Sequence, residues 1–161
     1  MQAYLRRANK EDMDLLYQWA NDPLVRVQSF SVSEINYEEH QKWFHELLED
    51  PLCRQYIYVY NSEDIGQIRL TITGIEAEIG YSIQRDKRGM GHGKMILELL
   101  AEQVKKDNPE IKKLTAKVKP QNIASQKVFL DRGFVEKYQC YELEMDSVYL
   151  ENGSTDVIYQ G

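Results

Sequence analysis

Residues 78–94 read Glu-Ile-Gly-Tyr-Ser-Ile-Gln-Arg-Asp-Lys-Arg-Gly-Met-Gly-His-Gly-Lys, and the rest of the chain can be arranged around them. The stretch begins as an apolar strand and runs through a basic turn into three glycines at alternate positions, Gly89, Gly91 and Gly93. An amphipathic helix follows, with one apolar face formed by Met95, Ile96, Leu99, Leu100 and Val104. Glycines let backbone N–H groups approach a ligand closely, and the positive end of a helix dipole favours negative charge. The stretch therefore predicts a binding site for a phosphate or a pyrophosphate.

The composition is typical of a globular protein and limits the classes of partner. The 161 residues predict one domain over 1–161, with a core at about 3–145 and a polar tail at 146–161. The net charge of −6 argues against nucleic-acid or membrane binding, because phosphate backbones and anionic lipids attract basic surfaces. Cys53 and Cys140 have neither metal-ligand nor redox spacing, and the sequence shows no signal peptide or apolar run of transmembrane length. We expect a cytoplasmic protein without a metal site or a disulfide framework.

The spacing of the apolar residues predicts six strands and four helices. The strands are predicted at Tyr4–Arg6, Tyr56–Tyr60, Ile65–Thr73, Glu76–Ile83, Leu114–Lys119 and Phe134–Met145. The helices are predicted at Asp12–Trp19, at Tyr37–Glu49, from the glycine turn to near Asp107, and at Asn122–Arg132. Leu24–Ile35 has no clear period and is interpreted as an ordered loop or a broken helix. The tail contributes either a short strand around Val157–Tyr159 or a disordered segment.

The predicted order of elements indicates an α+β fold, with a mixed, mostly antiparallel central sheet flanked by about four helices. The three strands before the glycine turn are joined by short turns, so we expect them to pair antiparallel. The strand at Leu114–Lys119 follows a strand–helix unit. A right-handed crossover would therefore place it parallel to Glu76–Ile83.

Two common phosphate-binding motifs do not fit the glycine turn. A dinucleotide fingerprint opens a Rossmann unit near the first strand, whereas three antiparallel strands are predicted before this turn. A nucleotide P-loop ends in Lys-Ser or Lys-Thr, whereas Lys94 is followed by Met95. The anion that binds here is therefore expected to belong to another class of ligand.

Two segments, in the expected order, resemble the GNAT superfamily of N-acetyltransferases. Arg88-Gly89-Met90-Gly91-His92-Gly93 looks like the Arg/Gln-x-x-Gly-x-Gly/Ala motif that binds acetyl-CoA in that family, and residues 78–83 resemble the strand before it. Residues 122–134 read Asn-Ile-Ala-Ser-Gln-Lys-Val-Phe-Leu-Asp-Arg-Gly-Phe and resemble the family's Asn-x-x-Ser/Ala … Gly-Phe segment. The resemblance covers roughly residues 3–145 and implies the family's fold and an enzyme that transfers acetyl from acetyl-CoA to an amine.

The resemblance also implies which residues hold the coenzyme. The turn amides would bind the pyrophosphate, and the pantetheine arm would lie between two splayed strands and bond to strand backbone. Asn122, at the start of a helix, would contact the same arm. The implied coenzyme residues are Tyr81, Ser82, Ile83, Arg88, Gly89, Met90, Gly91, His92, Gly93, Lys94 and Asn122. The side chain of His92 is expected to face solvent as a spacer in the turn.

In this family an amine attacks the thioester directly, without an acyl-enzyme, so a proton must leave the ammonium and another must reach the thiolate. Glu78, acting through water, and His40 are the candidate bases, although Glu78 could equally be a hydrogen-bonded strand carboxylate. Many members use a tyrosine as the acid at the position that Phe129 occupies here. The proton would then come from Tyr138, Tyr141 or a water. Alternatively the thiolate would leave unaided, because a thiol of pKa ~8.5 is a fair leaving group.

The region between the first two predicted helices is similar to that of a subgroup acting on nucleotide-linked amino sugars of surface polysaccharide pathways. Arg26 could pair with the diphosphate, Ser29 and Phe30 could line the sugar, and His40 with Trp43 could close over it. On the plainer interpretation, the aromatic stripe that includes His40 is core packing. A protein N-terminus or a polyamine as acceptor, and a non-catalytic acetyl-CoA-binding module, are the alternatives. A homodimer is compatible with such a sheet, because an exposed final strand could pair with another copy.

Overall fold

The computed structural model describes residues 1–145 and contains a five-stranded sheet whose strands lie in chain order. The strands are β1 (Ala3–Arg7), β2 (Cys53–Tyr60), β3 (Glu63–Thr73), β4 (Glu76–Ile83) and β5 (Lys113–Ala116). Neighbours from β1 to β4 pair antiparallel, and β5 pairs parallel to β4. The predicted α+β class with a mixed, mostly antiparallel sheet is therefore confirmed.

Five α-helices are present among these residues: α1 (Met13–Ala20), α2 (Pro23–Gln28), α3 (Tyr37–Glu49), α4 (His92–Asp107) and α5 (Ile123–Asp131). Three of them, α2, α3 and α5, start where a side-chain oxygen accepts a hydrogen bond from a first-turn N–H group. The Asp22 carboxylate accepts from the Leu24 N–H at 3.0 Å, and proline supplies the next residue of α2. The Asn36 side chain accepts from the N–H groups of the second and third residues of α3. Short 3-10 turns lie at Lys10–Asp12 and Arg85–Lys87.

Each face of the sheet has its own apolar core, because successive side chains of a strand point to opposite faces. In β2, Tyr56 and Tyr58 join the cluster around α4, whereas Ile57 and Val59 join the cluster around α1 and α3. The α4 cluster is the larger and includes Ile68, Leu70, Ile79, Ile96, Leu100 and Phe129. The other cluster contains Leu16, Phe44 and Leu47 beside the two β2 residues. Helices therefore cover both faces and fix the direction of every strand side chain.

The pairing of β4 with β5 stops after four residues, at Ile79 and Ala116. The antiparallel partner β3 continues to pair with β4 as far as Ile83. Within the described residues, no strand lies along the other edge of residues 80–83. A wedge therefore opens between β4 and β5 on the side of the sheet where α4 begins.

The structure decides two of the predicted segments. Leu24–Ile35 contains the short helix α2 and then an irregular segment, which matches the broken-helix interpretation. The final strand predicted at Phe134–Met145 is wrong, since residues 134–144 form neither strand nor helix. A strand needs a neighbour to supply its hydrogen bonds, and β5 is only four residues long. The predicted strand around Val157–Tyr159 lies outside the described residues.

Within residues 1–145, none of the helices combines the length and the apolar character that a membrane crossing would need.

Candidate functional site

One open cavity of about 1260 Å³ extends from the glycine turn, across the wedge, to the helices α1–α3. Its donor half is lined by residues 79–83 of β4, by the turn at 87–94 and by the start of α5. Its acceptor half is lined by α1–α3 and by the face of β2–β4 that these helices cover. The two halves meet at Glu78 and Ile79, where the pairing with β5 ends.

The glycine turn owes its shape to two left-handed residues. Gly89 has φ +72° and Gly91 has φ +85°, conformations that side chains with a Cβ rarely adopt. Gly91 is the N-cap of α4, and no side chain caps the first-turn amides of this helix. Because a helix N-terminus carries a partial positive charge, these amides form a site for an anion at the donor end of the cavity.

Arg88 connects the turn to the acceptor half. Its Nε donates to the Ile83 carbonyl oxygen at 2.9 Å, and its guanidinium lies 3.3 Å from the Asp22 carboxylate. Burial acts to raise the pKa of Asp22, but the Leu24 N–H and the charge of Arg88 outweigh it, so that pKa is lowered from its usual value. Asp22 also caps α2, and the position of this helix is therefore coupled to that of the turn.

His92 does not face solvent, so the prediction of a solvent-facing spacer is wrong. Its side chain is buried, its Nδ1 lies 2.9 Å from the Tyr58 hydroxyl, and its ring packs edge-on against Tyr60. Burial and, less strongly, the charge of Lys87 lower the pKa of the imidazole. The first turn of α4 is therefore fixed to strand β2, and only the backbone of His92 is available to a ligand at the turn.

The other predicted coenzyme residues are brought together, except for the side chain of Met90. Met90 is exposed and lies outside the cavity lining, so its only group at the turn is its backbone. Asn122 lines the cavity and caps α5 by accepting a hydrogen bond from the Ser125 N–H at 3.2 Å. The lining includes Tyr81, Ser82, Ile83, Arg88, Gly89, Gly91, His92, Gly93 and Lys94.

The hydroxyl of Tyr81 is a candidate functional group that the sequence prediction did not use. Tyr81 lines the donor half, and its ring packs edge-on against Phe129 with the ring centres 5.7 Å apart. The hydroxyl lies 3.5 Å from Ser125 Oγ, and burial raises its pKa above the ordinary tyrosine value. The sequence predicted only a backbone contact with the coenzyme for this residue, because a strand pattern does not show where a hydroxyl group lies.

The candidate acids and bases differ in their access to the cavity. The Glu78 carboxylate lines it, is about half exposed, and lies 3.4 Å from Lys117 Nζ. The imidazole of His40 is 2% exposed and Nε2 donates to the Met13 carbonyl oxygen at 3.1 Å, as a core histidine does. Burial lowers the pKa of His40. Tyr138 is 74% exposed and, like Tyr141, is not among the lining residues, so the structure does not bring it to the site.

Arg26 does not present a free guanidinium to the cavity. Its Nε donates to the Ala20 carbonyl oxygen at 2.5 Å, and its terminal nitrogens donate to the carbonyl oxygens of Ser31 and Ser33 and to Ser29 Oγ. Arg26 and Ser29 therefore hold the segment after α2 in place, and the prediction of an Arg26 diphosphate anchor is not supported. Phe30 and Trp43 line the acceptor half and are partly exposed, as a stacking surface requires.

A polar floor, which the sequence prediction missed, lies beneath these aromatic rings. The side chain of Gln55 donates to Gln67 at 2.7 Å, and Gln67 donates to Ser82 at 3.1 Å, which joins three strands. Beside this chain, the Arg69 guanidinium lies over the Trp43 ring, 5.4 Å from its centre. The sequence does contain a pattern that could have predicted this floor, because polar residues alternate with Ile68, Leu70 and Ile72 in β3. Only the apolar residues of that pattern were interpreted.

Among residues 1–145, no cluster of three or more His, Cys, Asp or Glu side chains is arranged to hold a metal ion.

The comparisons with known proteins identify a family and a fold. The sequence profile of the acetyltransferase (GNAT) domain matches residues 2–135. A comparison with functionally curated proteins finds no match. Among solved structures, aminoglycoside acetyltransferase AAC(6')-Ib in complex with coenzyme A is 20% identical, with a TM-score of 0.74 over 84% of this chain and 86% of that chain.

Two further structures have the same fold. Spermidine N-acetyltransferase from Vibrio cholerae, in complex with CoA and spermine, is 18% identical, with a TM-score of 0.77 over 85% of this chain and 83% of that chain. A domain from Methanocaldococcus jannaschii is 23% identical, with a TM-score of 0.76 over 88% of this chain and 93% of that chain. At such identities the likeness shows the fold alone.

Proposed function

The chain belongs to the acetyltransferase (GNAT) domain family, and we propose that it transfers acetyl from acetyl-CoA to the amine of a nucleotide-linked amino sugar. The protein is an N-acetyltransferase with acetyl-CoA as its donor; the proposal concerns the acceptor and the residues that act. The observation that carries it is the continuous cavity, whose donor half ends in an anion site and whose acceptor half is polar and aromatic. We treat residues 1–161 as one acetyltransferase domain.

In the proposed complex, the coenzyme fills the donor half. The amides from Arg88 to Lys94 bind the pyrophosphate at the first turn of α4, which no side chain caps. The pantetheine arm lies in the wedge, where its amides take the place of β5 beside Tyr81–Ile83. Asn122 lies at the opposite wall. This arrangement points the thioester toward Glu78, at the junction of the two halves.

The acceptor amine then attacks the thioester carbonyl carbon to form a tetrahedral intermediate, and the carbon–sulfur bond breaks as this intermediate collapses. Glu78 takes the ammonium proton through a water, since its carboxylate is open to the cavity, whereas the Nε2 of His40 is already bonded. We assign the donation of a proton to the thiolate to the Tyr81 hydroxyl, in place of Tyr138. Tyr81 packs against Phe129, the position at which many family members carry their acid.

The acceptor half suits a sugar with charged and uncharged parts. Aromatic rings from Phe30 and Trp43 offer faces for the apolar side of a pyranose, while the Gln55–Gln67–Ser82 chain offers donors and acceptors for hydroxyl groups. One structure of similar fold is an aminoglycoside acetyltransferase in complex with ribostamycin and coenzyme A, and an aminoglycoside is itself an amino sugar.

The test is the release of free CoA thiol from acetyl-CoA with a panel of amines. The panel holds a nucleotide-linked amino sugar, kanamycin, spermidine and a peptide with a free N-terminus. We expect the largest kcat/KM for the nucleotide-linked amino sugar. A larger kcat/KM for spermidine or for the peptide would contradict the proposed acceptor and leave the acetyltransferase assignment intact.

A further inference from the structure

The guanidinium of Arg69 lies on the floor of the acceptor half without an ionic partner. It makes no hydrogen bond or ion pair with any residue in the described range 1–145. It stacks on the face of Trp43 at 5.4 Å, and the charge of Glu78 on the neighbouring strand acts on it. The other arginine of this half, Arg26, has its nitrogens bonded to backbone oxygens and Ser29. Among the described residues of the acceptor half, the Arg69 guanidinium is therefore able to donate hydrogen bonds to a ligand.

The surroundings of Arg69 strengthen its attraction for an anion. The side chain lines the cavity and remains exposed to it. Desolvation by the nearby protein lowers the pKa of the guanidinium, although the charges of Cys53 and Glu78 act to raise it. An arginine keeps its charge at every physiological pH, so the charge remains while part of its hydration is lost. A partly desolvated guanidinium that stacks on an aromatic ring is preorganised to donate hydrogen bonds to two oxygens of one anion.

The register of the sheet places this cation near the reacting carboxylate. Arg69 pairs with Gly80 of β4, and Glu78 is two residues along that strand on the same face. Diagonal neighbours of this kind have Cα atoms about 7–8 Å apart. An amine bound at Glu78 and an anion bound at Arg69 are therefore about one sugar ring apart, once the length of the Arg69 side chain is added.

We infer that Arg69 binds an anionic group of the acceptor, so that the enzyme selects amines that also carry phosphoryl or carboxylate oxygens. The inference rests on the proposed amino-sugar function and deepens it, because it assigns the nucleotide diphosphate to Arg69. A free amine without an anion, such as a polyamine, leaves this guanidinium unpaired and binds more weakly.

The first experiment measures anion binding directly, by calorimetric titration of inorganic pyrophosphate into protein saturated with CoA. Saturation fills the glycine turn, so the titration reports on the acceptor half. We expect Arg69→Met to weaken pyrophosphate binding about tenfold or more, the loss expected for a hydrogen bond to a charged group. The pyrophosphate affinity of Arg69→Lys should lie between those of the wild type and of Arg69→Met, because a lysine keeps the charge but lacks the planar guanidinium.

Arg7→Met is the matched control. Arg7 also stacks on an aromatic ring, Tyr56, at 5.3 Å, but lies outside the cavity lining. Pyrophosphate should bind this variant as it binds the wild type. The inference would be overturned if Arg69→Met and Arg7→Met lost a similar amount of pyrophosphate affinity. It would also be overturned if Arg69→Met bound pyrophosphate as the wild type does, or if the wild type did not bind it. If acetate binds in place of pyrophosphate and its binding depends on Arg69 in the same way, the inference would be supported and the acceptor would be an amino carboxylate.

The second experiment compares kcat/KM for glucosamine and glucosamine 1-phosphate. We expect Arg69→Met to lower kcat/KM for glucosamine 1-phosphate about tenfold, while kcat/KM for glucosamine and the KM of acetyl-CoA change less than about twofold. An equal fall for both sugars would overturn the inference. If neither these sugars nor the nucleotide-linked amino sugar of the panel is acetylated, the amino-sugar acceptor fails, while the titrations still decide the role of Arg69.

Discussion

Gly91 combines a left-handed φ of +85° with open space where a Cβ would point. Gly74, in the turn between β3 and β4, has φ +62° and equally open space, but it lies outside the cavity. An aspartate at either position costs about 1–2 kcal/mol of backbone strain. Gly91→Asp and Gly74→Asp should therefore lower the free energy of unfolding by similar amounts.

Only Gly91→Asp should also weaken coenzyme binding, because it adds a negative charge at the helix N-terminus. We expect the Kd of CoA, measured by calorimetry, to rise about tenfold or more in this variant, since a like charge next to a phosphate opposes binding in a partly enclosed site. A Kd that changes equally in the two variants would show that the pyrophosphate lies elsewhere.

Burial raises the pKa of the Tyr81 hydroxyl above the ordinary tyrosine value. Because a proton donor is active only below its pKa, the donor contribution should be retained to higher pH than a solvent-exposed tyrosine would allow. Tyr81→Phe removes this donor, and we expect kcat to fall about 10²-fold, the lower end of the range for general acids. The measurement is the rate of thiol release with saturating acetyl-CoA and acceptor.

Tyr138→Phe is the control for this effect, since Tyr138 is exposed and outside the cavity lining. It should keep the wild-type kcat at every pH. A normal kcat in Tyr81→Phe, or a large fall in Tyr138→Phe, would return the role of acid to the C-terminal tyrosines or to water.

At the scale of residues, a feature could be predicted when it depends on neighbours in the sequence, and could not when it depends on distant residues. The left-handed glycines and the cap at Asn122 follow from a few neighbouring residues, so the sequence indicated the geometry of the turn and the start of α5. His92 and Arg69 could not be placed in the same way. The partner of His92 is Tyr58, 34 residues earlier, and the ring above Arg69 belongs to α3, which no pattern within β3 indicates.

The segment after α2 depends on one side chain, that of Arg26. Arg26→Ala would leave the carbonyl oxygens of Ala20 and Ser31 and the hydroxyl of Ser29 without this donor. We expect the free energy of unfolding to fall by about 1–3 kcal/mol in denaturant titrations, because partly buried oxygens lose a charged hydrogen-bond donor. The acceptor KM should rise as well, since Phe30 is carried by this segment.

Arg132→Ala removes an exposed ion pair with Glu98 and serves as the control, with an expected loss under about 1 kcal/mol. The KM of acetyl-CoA should stay unchanged in Arg26→Ala. If that variant kept the wild-type stability and raised only the acceptor KM, Arg26 would bind the acceptor directly, and the diphosphate would belong to Arg26 rather than Arg69.

Elements with clear boundary residues were predicted to the residue. Helix α3 runs over Tyr37–Glu49 as predicted, because Asn36 caps its start and Asp50-Pro51 follows its end. Strand β4 also matches its predicted bounds. The strand predicted at Phe134–Met145 failed because alternation shows only that a segment could pair. Whether it does pair depends on a neighbouring edge, which is a property of the whole sheet.

The sheet as a whole determines how the two substrates meet. The wedge beyond Ile79 and the floor on β2–β4 open into one cavity, so acetyl-CoA and the acceptor can be bound at the same time. Neither Cys53 nor Cys140 is among the lining residues of the described chain, and no thiol is therefore placed to accept the acetyl group. Direct transfer within a ternary complex is the chemistry that this arrangement favours.

Initial-rate kinetics test this directly. With acetyl-CoA and the acceptor varied together, we expect double-reciprocal lines that intersect, because both substrates must be bound before any product leaves. Acetyl-CoA alone should release no stoichiometric burst of thiol, and mass spectrometry of the protein after such a mixture should show no added acetyl group. Parallel lines together with an acetylated protein would demonstrate a covalent intermediate instead. In that case the shared cavity would serve the two substrates in turn, and Glu78 would have to assist two separate transfers rather than one.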